Sequence, residues 1–191
     1  GHHFSYRRQG SAASLIAPGE LPRQFIGQAS VLHLSGISLG ISASAADAAF
    51  EAIGIARQAG RPVSFDPNYR PALWPLSRAR GLIHEAMAQC RIALPGLDDA
   101  RLLTGLDNAD EIADFYLRLG VGIVALTLGA DGVLVATPDH RERLPGYPVK
   151  LVDATGAGDT FDGAFLAQWM RDQDPIEAAR YANAAAALST Q

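Results

Sequence analysis

Along most of the chain, short apolar runs alternate with longer stretches in which apolar residues recur every three or four positions, the pattern of strands joined by helices. Residues 31–36 read as a strand ending in Gly36. Residues 44–59 follow as a helix that carries Phe50, Ile53 and Ala56 and is closed by Gly60. Residues 62–66 give the next strand, and a Pro-rich loop through Trp74 and Pro75 leads to a helix over 77–89 that Ser77 can cap. A third strand is expected over 91–94, helices over 97–103 and 109–119, and a fourth strand over 122–128. Residues 132–136 and 140–144, separated by Thr137, Pro138 and Asp139, predict a hairpin at a sheet edge. Two Ala-rich helices, 157–171 and 175–189, end the chain. The fold class is α/β with a mostly parallel sheet.

Residues 1–28 fit this rhythm worst, because Tyr6 to Ser11 is polar and Pro18, Gly19 and Pro22 interrupt any regular element. They are expected to form a flap or substrate-recognition segment beside a core spanning 29–191. With 191 residues, 48% of them hydrophobic and 19% charged, the chain has the composition of a globular domain. Its 16 cations and 20 anions are dispersed and sum to −4, which argues against a nucleic-acid partner. Cys90 is the one cysteine, so no intrachain disulfide or multi-cysteine metal cluster can form, and a reducing compartment fits. No apolar run approaches the roughly 18 to 20 residues that cross a bilayer, and residues 1–6 do not resemble a signal peptide. A cytoplasmic location is expected. The first residue is not Met and the last five stop inside a helical pattern, so the chain is expected to be incomplete at both ends.

The stretch richest in chemistry is Val152 to Phe161, directly before the long Ala-rich helix. Gly156 and Gly158 remove side chains where the free amides of a helix's first turn can receive an anion such as a phosphate. Asp159 is the unexpected member, because a carboxylate in an anion site repels the anion unless it has another task. Phosphoryl transfer to a hydroxyl supplies one: amides balance charge on the transferred group, and a base takes the acceptor's proton. Spacing alone leaves a second reading open, in which Asp159 meets the helix dipole and the glycines form a tight turn. Two other glycine motifs fail on their letters. Ala164 stands where a P-loop needs Lys, and Phe161 where a dinucleotide fingerprint needs its third Gly.

Residues 153–161, Asp-Ala-Thr-Gly-Ala-Gly-Asp-Thr-Phe, resemble the second signature of the ribokinase-like carbohydrate kinases of phosphofructokinase B type. The resemblance extends over essentially the whole chain. It implies a three-layer α/β/α sandwich, ATP and Mg²⁺ as cofactors, and the amides of Gly156, Ala157 and Gly158 as an anion hole with Asp159 as the base. Thr127 to Gly132 resembles the family's phosphate turn, which assigns Thr127, Gly129 and Gly132 to the nucleotide. Asn183, on the last helix, corresponds to the border of the adenine pocket. Where the family has Asn-x-x-Glu, this chain has Gly96-Leu97-Asp98-Asp99. Asp99 as a replacement for the Glu and both aspartates as a plain helix start stay open. No protein metal ligand is assigned, because the nucleotide's phosphates provide most of the magnesium ligands.

Residues 65–74, with Asp66, Asn68 and Arg70, resemble a stretch shared by bacterial fructokinases and 2-keto-3-deoxygluconate kinases. It assigns Asn68 to the nucleotide and Arg70 to the substrate, since a guanidinium can hold a carboxylate or phosphate bidentately. Residues 6–14 resemble the substrate segment of 2-keto-3-deoxygluconate kinases, which maps Tyr6 and Arg8 onto the grip of a sugar acid. The expected reaction is ATP-dependent phosphorylation of the terminal hydroxyl of 2-keto-3-deoxy-D-gluconate. A fructokinase, another ribokinase-like kinase and a non-catalytic sugar-binding protein are the alternatives. Family members are longer, with a first strand and most of a β lid ahead of Gly1, so the lid is expected to be largely missing. Their lid-mediated dimers make a homodimer the expected assembly.

Overall fold

The computed structural model describes residues 10–191, so Tyr6 and Arg8 lie outside the described residues. Six strands form one sheet in sequence order: β1 (Leu32–Ser35), β2 (Val63–Asp66), β3 (Ile92–Ala93), β4 (Ile123–Thr127), β5 (Val133–Ala136) and β6 (Arg141–Leu144). The first four run parallel, and β5 and β6 add the antiparallel edge hairpin read from the sequence. Short helices α1 (Ala12–Leu15) and α2 (Arg23–Gln28) precede β1, and Ile26 of α2 joins the core. Between strands lie α3 (Gly36–Ile41), α4 (Ala43–Gln58), α5 (Leu76–Met87), α6 (Leu97–Thr104) and α7 (Ala109–Arg118). Helices α8 (Ala157–Asp172) and α9 (Pro175–Ser189) close the chain.

The sheet sorts its side chains by the period of two that extended backbone imposes. Val63 and Phe65 of β2, Val124 and Leu126 of β4, and Leu134 and Ala136 of β5 pack into the layer shared with α4, α5 and α7. Their sequence neighbours Ile123, Ala125, Val133 and Val135 face the other way, onto Phe161, Phe165 and Trp169 of α8 and Ala178 and Ala182 of α9. Both faces are covered, the three-layer α/β/α arrangement. Each large side chain taken fully out of water, such as Phe65 or Phe165 at 0% exposure, contributes about 1.5–3 kcal/mol.

Several helix ends follow from their residues. Ser42 Oγ accepts from the Ala45 amide at α4, Asn108 Oδ1 from Asp110 and Glu111 at α7, and Asp174 Oδ1 from Ile176 and Glu177 at α9. Gly105 ends α6 in the left-handed conformation, which lacks a penalty for glycine. Three expectations are corrected. Ser77 does not cap α5, because the helix already begins at Leu76 behind Pro75 and no side chain caps it. Gly36 opens α3 instead of ending a strand: a Cβ there would sit 1.9 Å from the Pro67 carbonyl oxygen, so only glycine lets the loop after β2 lie against this turn. The third strand contributes only Ile92 and Ala93 to the ladder, with Arg91 and Leu94 flanking it.

The β6 edge is charged. Arg141 pairs with Asp110 and Asp114 of α7, Arg143 with Asp110, and Glu142 with Arg180 of α9. Among the described residues, no helix is long and apolar enough to cross a membrane.

Candidate active site

The C-terminal ends of the parallel strands and the start of α8 meet at one end of the sheet, where open α/β sheets bind ligands. Gly156, at φ +78°, makes the turn into α8 that a side-chain-bearing residue would strain. The amides of Gly156, Gly158 and Asp159 have no acceptor among the described residues, and a Cβ at either glycine would meet open space. The Ala157 amide, assigned to the same hole from the signature, instead donates to the Ala154 carbonyl at 3.1 Å, because the turn closes on itself there. Asp159 is exposed in the first turn of α8. It does not lie in a closed interior.

Three clefts run side by side past this point. The first, about 490 Å³, is lined by Tyr147, Pro148, Val149 and Leu151 from the segment before α8, by Asn183, Ala186 and Thr190 from α9 and its end, and by Gly129 and Ala157. It shares Ala154 with a second cleft of about 330 Å³, whose walls carry Asn68, Arg70, Asp99, Thr127, Gly156 and Gly158. Asp66, Asp159 and Asp162 line this second cleft and also a third, about 500 Å³, bounded by His33, Ser35 and Ser38. Asp159 thus stands at the junction of an amide-lined cleft and a hydroxyl-lined one.

The expected site residues within the described chain gather here with two qualifications. Gly132 is buried and lines none of the three clefts. At φ +98°, with a would-be Cβ 2.1 Å from the Leu144 carbonyl oxygen, it presses the Thr127–Gly132 turn against β6. Asn183 borders the first cleft, but its side-chain amide donates to the Pro145 carbonyl at 2.8 Å and so holds the cleft wall. Asp99 lines the second cleft. It sits in the first turn of α6 without capping it, and its Oδ2 accepts the Tyr69 amide at 2.9 Å, pinning the loop that carries Asn68 and Arg70. That loop is tightened further by Asp66 Oδ1, which accepts the Asn68 amide at 3.0 Å and holds Asn68 at a positive φ of 33°.

Sequence reasoning assigned no role to Asp66, Asp162, His33 or Ser64. His33 Nδ1 lies 3.1 Å from Ser64 Oγ across the paired register of β1 and β2, and its Nε2 is 3.8 Å from Asp162 Oδ2. The signal was present: a polar residue in the middle of each of two strands whose neighbours are apolar. Burial pushes Asp66 up to about 7, with Asp99 and Asp159 adding to the shift and the Asn68 amide and Arg70 opposing it. Burial also raises Asp99, against the Tyr69 amide and Arg70. Burial lowers His33, an effect that Asp159 partly offsets.

Residues 4–191 match the pfkB family of carbohydrate kinases. The chain belongs to that family. A pfkB relative named 2-dehydro-3-deoxygluconokinase, from Bacillus subtilis (strain 168), is 35% identical over 191 residues, covering 98% of this chain and 58% of that protein. Fructokinase-1 of Oryza sativa subsp. japonica is also 35% identical, over 97% of this chain and 60% of that protein. The crystal structure of a putative ribokinase II from E. coli in complex with ATP and Mg²⁺ superposes with a TM-score of 0.90 at 28% identity, covering 98% of this chain and 61% of that one. The pfkB chain described here therefore spans about six tenths of the length of these relatives, and its sandwich is the ribokinase-like one.

Proposed function

We propose that the protein is an ATP-dependent sugar kinase in which Asp159 is the general base and the amides of Gly156, Gly158 and Asp159 stabilise the phosphoryl group in transit. The reading is carried by one observation: an exposed carboxylate placed where an amide-lined cleft meets a hydroxyl-lined one. The acceptor hydroxyl gives its proton to Asp159 as its oxygen bonds to the γ-phosphorus, and the bond from that phosphorus to the β-γ bridging oxygen breaks to leave ADP. The first cleft, apolar and bordered by Asn183, suits the nucleoside. Thr127 and Asn68 suit the phosphates next to it, and Arg70, in the same cleft, suits an anionic group of the acceptor.

Magnesium would arrive with the nucleotide and balance its phosphate charge. Among the described residues no group of three or more His, Cys, Asp or Glu side chains is placed to hold a metal. Asp99 Oδ1 accepts no hydrogen bond from any described residue and lies beside the phosphate cleft, which suits a water of the cation's shell.

For the acceptor we take 2-keto-3-deoxy-D-gluconate, supported by the resemblance of Tyr6 and Arg8 to a sugar-acid grip and by the Bacillus relative's name. A fructokinase is the second reading, favoured by the equal identity to the rice protein. A coupled ADP-release assay on the full-length protein, with sugar acids and neutral ketoses side by side, tests both. Turnover restricted to the sugar acid supports the first reading, turnover of fructose the second, and no turnover of any sugar removes the kinase assignment.

A further inference from the structure

Asp162 lies one turn beyond Asp159 on α8 and is 6% exposed, yet it lines both the phosphate cleft and the acceptor cleft. Among the described residues it makes no hydrogen bond, and His33, at 3.8 Å, is the one within ion-pair range. An ionised carboxylate so enclosed and unpaired is costly. His33 is a poor source of positive charge, since burial lowers its pKa and its Nδ1 already meets Ser64. The other titratable groups facing Asp162 are carboxyls: Asp66 from the end of β2 and Asp159 from its own helix. Arg70 acts on Asp66 and Asp99 beyond them. Burial, with the charges of Asp66 and Asp159, pushes Asp162 up to about 9.

We propose that Asp162 is a substrate-binding residue whose carboxyl, lining the acceptor cleft, hydrogen-bonds an uncharged hydroxyl of the sugar. The proposal rests on the kinase reading and adds a requirement to it. The part of the sugar lying against β1 and α8 is neutral and hydroxylated. Among the acceptor-cleft residues, His33, Ser35 and Ser38 offer hydrogen bonds and none is Lys or Arg. A carboxylate placed there would meet three carboxyl groups and no cation, so the acid group of a sugar acid is directed away from this wall.

The test is steady-state kinetics on the full-length protein from about pH 6 to about pH 10, varying the sugar and ATP separately. Asp162→Ala is expected to raise the sugar KM on the order of tenfold or more, with the ATP KM within about twofold. Asp162→Asn keeps an N–H donor. It is expected to raise the sugar KM only a few-fold and to abolish the increase in sugar KM that the wild type shows as pH passes about 9. An unchanged sugar KM in Asp162→Ala, or the same alkaline rise in wild type and Asp162→Asn, overturns the proposal. Where the Ala variant fails to fold, judged by circular dichroism, the Asn profile decides. Absence of turnover in the wild type overturns the kinase reading instead. Calorimetric titration of the same sugars into wild type and Asp162→Asn then reads the contact on its own.

Discussion

The two faces of the sheet are built from the same alternating strands but differ in what they tolerate. The face under α4, α5 and α7 is apolar along β2, β4 and β5, with Phe65, Val124, Leu126 and Leu134 at 0% exposure. The face under α8 is equally apolar over β4 and β5 but turns polar over β1 and β2, where His33 and Ser64 replace the aliphatic residues that the pattern calls for. Asp162 of α8 approaches this polar corner. One face is a packing surface throughout, and the other opens, at the corner nearest Asp159, onto the clefts of the proposed reaction.

Asp159→Asn attacks the reaction corner most directly. We expect turnover to fall by about 10²–10⁴-fold with ATP affinity within a few-fold, measured by ADP release and by calorimetry. Retained turnover would move the base elsewhere. Phe65→Ala attacks the packing face, and loss of about 3–5 kcal/mol is expected from chemical denaturation. Gly158→Ala sharpens the contrast, because a Cβ at this position meets nothing within 4 Å in the free protein. Stability should stay within about 0.5 kcal/mol, while turnover falls on the order of tenfold to a hundredfold as the methyl group intrudes on the phosphate's approach.

The last expected effect is on stability against pH. Folded Asp162 keeps its proton up to about pH 9, whereas the unfolded chain releases it near 3.8, so between these values the folded state binds more protons and loses stability as pH rises. Asp162→Asn removes that slope. Its Tm relative to wild type should climb from pH 5 to pH 8, and parallel curves would show that this carboxyl ionises normally.

Much of the architecture was legible because a period of two and a period near 3.6 are imposed by backbone geometry. The four parallel strands, the edge hairpin and helices over 97–104, 109–118, 157–172 and 175–189 lie close to the expected boundaries. The helix Gly36–Ile41 was not legible. Its glycine reads as a stop, and only the approach of Pro67, distant in sequence, explains why no side chain stands there. The pairing of Asp99 with the Tyr69 amide is likewise a contact across 30 positions that no local pattern encodes. For the site, Asp159 and its glycines are contiguous and carry their own chemistry. Asp66, Asp162, His33 and Ser64 come from three elements, and only folding brings them to one corner. Tyr6 and Arg8 lie outside the described residues.

The charged rim along β6 has a bearing on handling the protein. An outermost strand offers bare amides and carbonyls that a second molecule can zip onto. Here Arg141 and Arg143, tied to Asp110 and Asp114, with Glu142 between them, would force any incoming strand to displace or desolvate ionic groups. Concentrated salt screens such groups, so purification at low ionic strength should keep that border unreceptive to a second molecule.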